Sequence, residues 1–421
     1  MKICLCAPAL LLATWAFALP SPTPAQSAGK VLYAFQECGE PAAPLVTDIR
    51  GNLYGSTTRG GLYGNGCIFE LSPTENGWAE SVICNFDGSY GASLVALIFD
   101  KAGNLYGAGG GGAYDAGIVF ELRPQPNGQW TETILHSFGN WGDGWDVEGN
   151  LFFDKKGNLY GTTKSGGEKN GGQVFKLSPG ANGWTETILY SFPGSIAGPD
   201  GDGPIGVVAD REGNLYGVTE SGGALGYGAV FKLTHDPNSD GYVETLIHNF
   251  ELTDGYQPGS ALTIDPYGQL YGTTLAGGNT ALCDYVGCGV VFKLAKDAEG
   301  NWNETVLHEM TGTDGTFPLG PVVFDPKGNL YAVGQLGAIM GMGSVFMLTP
   351  TKSGPWTETV LHLFDFQFPN GKDGRSPYAG VIFDKGRIFG TTLAGGVNDA
   401  GIVFEGTPPQ ASVSALEGAP Q

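Results

Sequence analysis

The sequence predicts an all-β fold: a seven-bladed β-propeller of four-stranded blades, the last blade formed by three strands from the C-terminus plus the N-terminal strand. Three observations predict it. The pentapeptide G-x-L-Y-G, with tolerated variants, occurs seven times, starting at Gly51, Gly103, Gly157, Gly213, Gly268, Gly328 and Gly386. Each copy sits in a unit of four short strand-like segments. The first such segment of the chain, Val31 to Phe35, matches only a fourth strand, whereas the seventh unit ends at Ile402 to Glu405, a third strand.

The aromatic positions of successive copies lie 52, 54, 56, 55, 60 and 58 residues apart. The third unit shows its elements in order. Strand one is Asn150 to Asp154, strand two Asn158 to Thr163, strand three Gln173 to Leu177 and strand four Trp184 to Phe192. All are rich in β-branched and aromatic residues, with Gly, Asn and Pro between them. Strand four carries Trp184, Ile188, Tyr190 and Phe192 on one face and Leu189 on the other, which suits a sheet wedged between two neighbours. Asp154 to Gly157 predicts a tight turn in which the carboxylate accepts turn amides and glycine supplies positive φ. Pro179 to Gly183 joins strands three and four. Pro193 to Pro204 is long enough to cross from an outer strand to the innermost strand of the next blade. The glycines of G-N-L-Y-G read as strand punctuation, because no helix follows them to hold a phosphate. Sharing the last blade between the chain ends pairs edges that would otherwise stay open. A linear solenoid would need capping units instead, and none is visible.

The string G-N-L-Y-G-T-T, then G-G, V-F-K-L and W-T-E-T-x-L-Y-S-F, resembles the bacterial GloVer-type (Gloeobacter/Verrucomicrobia-type) tandem repeat of secreted, choice-of-anchor proteins. The resemblance spans Val31 to Glu405. It implies an extracellular repeat protein and brings no catalytic residues with it.

Charge narrows the partners, and the N-terminal segment suggests export. Lys and Arg number 21 against 42 Asp and Glu, a net charge of −21 among 421 residues, which argues against nucleic acid or an anionic membrane surface as partner. Lys2, the apolar run Ile3 to Leu19 and the Pro-rich segment to Ser27 read as a secretory signal peptide cleaved after Ala25. That leaves a propeller over 26–406 and a short tail over 407–421 without an apolar anchor. No later window reaches about 18 consecutive apolar residues, so the mature chain is expected to lack a membrane span.

Five cysteines follow the signal, and in an exported chain they are disulfide candidates. Cys283 and Cys288 share one loop, a spacing that fits a local bridge. If Leu71 faces Glu80, the same register places Cys67 opposite Cys84 as a second pair; Cys38 could capture Cys84 instead or stay free. The spacing lacks the paired C-x-x-C motifs of a zinc site. His136, His248, His308 and His362 all occupy one slot of strand four, which other units fill with Tyr33, Cys84 or Tyr190. A slot so variable reads as packing, not as a unique catalytic base.

Candidate binding residues lie where strand alternation gathers the two-to-three loops and the four-to-one crossings on one face. The crossings carry Asp143, Asp202, Asp254, Asp314 and Asp373, each followed by glycine. Turn chemistry explains such pairs; a ring of carboxylates for cations or sugar hydroxyls is the functional alternative. Asp200 to Gly203 resembles the start of a calcium loop, yet the twelfth position is Arg211, which fails the EF-hand pattern. Calcium remains an option for these carboxylates, and no other cofactor is expected. Residues that break the repeat say more: Trp141 and Trp145 beside Asp143, Tyr256 beside Asp254, Phe317 after Asp314, Arg375 after Asp373, and Tyr114, Tyr227 and Tyr285 in two-to-three loops. Aromatic platforms next to carboxylates suit sugar rings, although they also suit packing of loop on loop. No G-x-S-x-G, H-E-x-x-H or P-loop motif is present. The expected function is a non-catalytic extracellular module that binds polysaccharide or a surface protein. The alternatives are a glycosidase or polysaccharide lyase with acids near the channel mouth, and a structural envelope or matrix protein.

Overall fold

The computed structural model describes residues 29–87, 94–139, 142–194, 200–237, 241–338, 341–352, 354–365 and 373–409. The expected signal peptide, most of the C-terminal tail and Trp141 lie outside the described residues. Seven antiparallel sheets form the blades of a propeller, and no helix occurs among the described residues. In the third blade Gly144–Phe153, Leu159–Gly166, Gln173–Gly180 and Gly183–Ser191 pair in chain order, as a meander. The ring closes as the terminal segments foretell. Lys30–Ala34 pairs antiparallel with Ile402–Gly406, in one sheet with Arg387–Thr392 and Val381–Asp384.

Strands run further than their apolar cores suggest. Strand one starts at Gly144 or Asp202, so the crossing Asp-Gly pairs stand at its first residues. In the first and fifth blades it is split, as Cys38–Pro41 with Val46–Thr47 and Tyr256–Pro258 with Thr263–Ile264. The third-to-fourth connection of blade three shortens to Ala181 and Asn182, because Gly180 pairs with Gly183. Innermost strands of adjacent blades touch backbone to backbone: a Cβ on Gly149 would lie 2.3 Å from the Gly206 nitrogen. Beside it the Asn150 amide bonds both the N–H and the C=O of Val207, at 3.0 Å each, and so stands in for a neighbouring strand.

The Asp-x-x-Gly turns hold as the sequence suggests. Asp154 Oδ1 accepts the amides of Lys156 and Asn158 at 2.8 and 2.9 Å, and Gly157 has φ 84°. Its second oxygen accepts Asn158 Nδ2 and the Tyr160 hydroxyl, which ties the repeated string N-L-Y to the turn before it. Burial alone would raise the Asp154 pKa, but these donors hold it below the ordinary value.

The core is divided among the seams. Seven buried clusters each join residues of two adjacent blades, for example Val119 and Phe138 with Leu159 and Phe175. Across the seams the last aromatic of strand four meets the strand-three phenylalanine of the next blade: Phe138 on Phe175 and Phe192 on Phe231, both with centroids 5.0 Å apart. The closing glycine of G-N-L-Y-G serves this contact. A Cβ at Gly161 would sit 2.6 Å from Phe175 Cζ, so close approach to a ring, rather than punctuation, accounts for the glycine.

One device was not foreseen. In all seven blades the register of strand four slips by one residue near its end, a β-bulge. It corrects the face assignment of strand four. Trp184 packs toward Tyr106 of the preceding blade, whereas Leu189, Tyr190 and Phe192 all join the cluster shared with the next blade, and Ile188 is 42% exposed. The same bulge overturns the Cys67–Cys84 pairing. Leu71 does face Glu80, but after the slip Cys84 opposes Ile68 and Cys67 opposes Asn85. Cys67 is bonded to Cys38, Cys283 to Cys288, and Cys84 keeps its thiol, whose pKa burial and then Glu132 push up to about 12.

Candidate binding site on the loop face

Strand one runs away from the face on which the two-to-three loops and the crossings lie. That face carries exposed apolar loop tips around the ring: Leu62, Tyr63, Tyr114, Leu225, Tyr285 and Val397. Between the second and third blades it is indented by a cleft of about 370 Å³ whose walls include Tyr114, Asp143, Trp145 and Asn170. Trp145 is 53% and Tyr114 58% exposed. Trp145 lies across Gly166, where a Cβ would clash with the indole Cδ1 and where φ is 74°, so glycine is required twice over.

The other candidates are distributed around the face and do not converge. Tyr227 and Tyr256 pack against each other, edge to face, with centroids 5.4 Å apart. Arg375 Nη2 holds Asp399 at 2.8 and 3.0 Å. Asp202 accepts the Ser221 hydroxyl at 3.3 Å. Phe317 has φ 54° within its crossing.

The remaining crossing aspartates face the histidine slot of their own blade. His136 Nε2 is 3.1 Å from Asp143 Oδ2, His248 Nε2 is 3.3 Å from Asp254, His308 Nε2 is 2.9 Å from Asp314 and His362 Nε2 is 3.1 Å from Asp373. Turn amides also donate to three of these carboxylates: Glu251 to Asp254, Thr311 to Asp314, and Asp365 and Gly374 to Asp373. The strand-four slot also reaches the glutamate early in strand four of the next blade. Glu186 Oε2 is 3.8 Å from His136, Glu358 Oε1 is 3.9 Å from His308, and the Tyr33 hydroxyl donates to Glu80 at 2.8 Å. Burial, followed by the charge of the facing aspartate, pushes Glu186 and Glu244 up to about 7 and Glu304 up to about 8. Burial opposes the imidazolium of His136 and His308, yet the bonds to Asp143 and Asp314 leave both pKa values above the ordinary one.

A second cluster escaped sequence reasoning. Lys164 Nζ lies 2.8 Å from Glu220 and 3.3 Å from Glu148, joining the third and fourth blades. Burial raises the Tyr378 pKa, and the charges of Glu148, Lys164 and Glu220 also act on it. The available signal was the residue three positions after the last of G-x-L-Y-G, which varies from blade to blade as Thr58, Gly110, Lys164, Glu220, Leu275, Gln335 and Leu393.

The model of the Gloeobacter/Verrucomicrobia repeat family matches residues 40–284 and 239–417. This chain belongs to the Gloeobacter/Verrucomicrobia repeat family. No curated protein matches this repeat chain. Among solved structures, a Thermus thermophilus protein described as a putative oxidoreductase (glucose dehydrogenase) is similar to it at 17% identity and a TM-score of 0.43, over 74% of the repeat chain and 98% of its own. A Dyadobacter fermentans protein of unknown function is similar at 11% identity and a TM-score of 0.46, over 91% and 99% respectively. No activity is carried over from either. No helix among the described residues of the repeat chain is long and apolar enough to cross a membrane.

Proposed function

We propose that this chain is an exported, non-catalytic binding module that takes an extracellular polysaccharide in the cleft between its second and third blades. The observation that carries this reading is the pairing of two exposed aromatic rings, Trp145 and Tyr114, with the carboxylate of Asp143 in one cleft. Sugar rings offer apolar C–H faces to such platforms, and their hydroxyls can meet the exposed Asn170 amide on the wall of the same cleft. Two disulfides support export, because bonds of this kind persist in oxidising compartments.

Affinity electrophoresis through a panel of plant and bacterial polysaccharides tests the reading. The parent chain should be retarded in at least one gel without release of reducing ends or unsaturated products. Trp145→Ala with Tyr114→Ala should abolish the retardation. Equal retardation of that variant would place the ligand elsewhere, and free migration in every gel would remove polysaccharide as the ligand.

A further inference from the structure

Where the second blade meets the third, three side chains of metal-ligating type converge. His136, Asp143 and Glu186 each offer one ligand atom, and these atoms all lie within 4.8 Å of one another. Ligand atoms bound tetrahedrally to Zn²⁺ at about 2.0–2.2 Å stand about 3.4 Å apart. Here imidazole to Asp143 is 3.1 Å and imidazole to Glu186 is 3.8 Å, on either side of that value.

A second observation points to a cation. The Asp143 side chain is only 10% exposed, yet its Oδ1 has no partner among the described residues, and neither has Glu186 Oε1. A buried carboxylate oxygen without a donor is costly, and a positive charge or a proton beside it removes that cost. In the related cluster of His308, Asp314 and Glu358, Glu358 Oε1 likewise lacks a partner, but the aspartate is satisfied. There both oxygens of Asp314 are occupied, one by His308 and the other by the Thr311 amide at 2.9 Å. Asp143 also borders the open cleft, which gives an ion a way in.

We propose that His136, Asp143 and Glu186 form a binding site for a divalent transition-metal ion of the Zn²⁺ class at the seam of the second and third blades. One imidazole and two carboxylates suit zinc or its neighbours in the first transition row. Calcium fits poorly, since it takes six to eight oxygen ligands and avoids imidazole nitrogen. The ion would displace whatever proton the two carboxylates share and would leave a fourth position toward the cleft. The site does not depend on the cleft taking a polysaccharide.

The test is calorimetric titration of the chelator-treated full chain with Zn²⁺ at pH 7.5, backed by the visible spectrum with Co²⁺. One saturable equivalent is expected, with Co²⁺ bands of tetrahedral strength. His136→Tyr should weaken the binding at least ten-fold and erase those bands. That variant should fold, because Tyr190 and Tyr33 fill the same slot in other blades. Glu186→Gln should weaken binding as well, with secondary structure and melting retained. Absence of saturable binding, affinity unchanged in His136→Tyr, or a loss seen only in His308→Tyr would each overturn the assignment.

Discussion

Gly161→Ala should loosen the seam between the second and third blades. A Cβ there would lie 2.6 Å from Phe175 Cζ and 2.9 Å from Leu151 Cδ2, whereas carbon atoms in good contact stand about 3.5–4.0 Å apart. Phe175 has nowhere to go: it is fully buried and rests on Phe138. Overpacking of this kind costs about 1–3 kcal/mol, and two simultaneous clashes favour the upper half of that range. The chain contains its own compensated case. In the sixth blade Ala332 stands where the others have glycine, and there the residue corresponding to Phe138 is Met310, whose flexible side chain shares a buried cluster with Ala332 and Phe346. Phe138→Met should therefore rescue Gly161→Ala, with a coupling of about 1 kcal/mol in the double-mutant cycle. The assay is the urea midpoint, with disulfides intact and the denaturant slope unchanged across the four proteins. A midpoint for Gly161→Ala equal to the parent's, or a double mutant no better than the sum of the singles, would refute the packing argument.

Stability should also fall as the solution becomes alkaline. The folded pKa of Glu304, about 8, lies above its ordinary 4.5, so its contribution is fully present below about pH 4.5 and is lost as pH rises through about 8. The full shift corresponds to roughly 5 kcal/mol, but the group is partly solvated, and screening reduces this to about 1–2 kcal/mol. Melting curves at pH 5 and pH 8.5 should show the loss in the parent and a smaller one in Glu304→Gln; identical slopes would sink the assignment. Of the two disulfides, Cys38–Cys67 closes the longer loop, with a separation of 29 residues against 5 for Cys283–Cys288. Replacing the first pair by serine should cost about 3–4 kcal/mol and the second about 2 kcal/mol, and equal losses in chemical denaturation would contradict the chain-entropy argument.

The ring was legible because repetition multiplies a weak signal. One unit's strands are ambiguous, but seven aligned copies of G-x-L-Y-G fix strand two, and the orphan match of Val31 to Phe35 fixes the closure. The bulge in strand four was not legible, since a one-residue slip of pairing within W-T-E-T-x-L-Y-S-F leaves composition and length unchanged while turning Leu189 and Cys84 to new faces. That single slip decided the cysteine pairing. The candidate site was legible where residues broke the repeat, as Trp145 and Tyr114 do, and illegible where partners came from neighbouring units. His136 reads as one of four equivalent histidines until the fold brings Asp143 and Glu186 to the same nitrogen. Lys164 and Glu220 were hidden in the same way, because each pairs across a blade boundary.

The bond between Cys38 and Cys67 changes what opening the ring would mean. The closing strand ends at Ala34, and Cys38 follows it within the first blade. If that strand peels from the last blade, it stays on a leash of a few residues, so its local concentration beside the vacated edge remains in the millimolar range or above. A strand from a second molecule would have to compete with that. Propellers closed by a terminal strand are otherwise open to exchanging it between copies, and here the oxidised leash guards against such domain swapping.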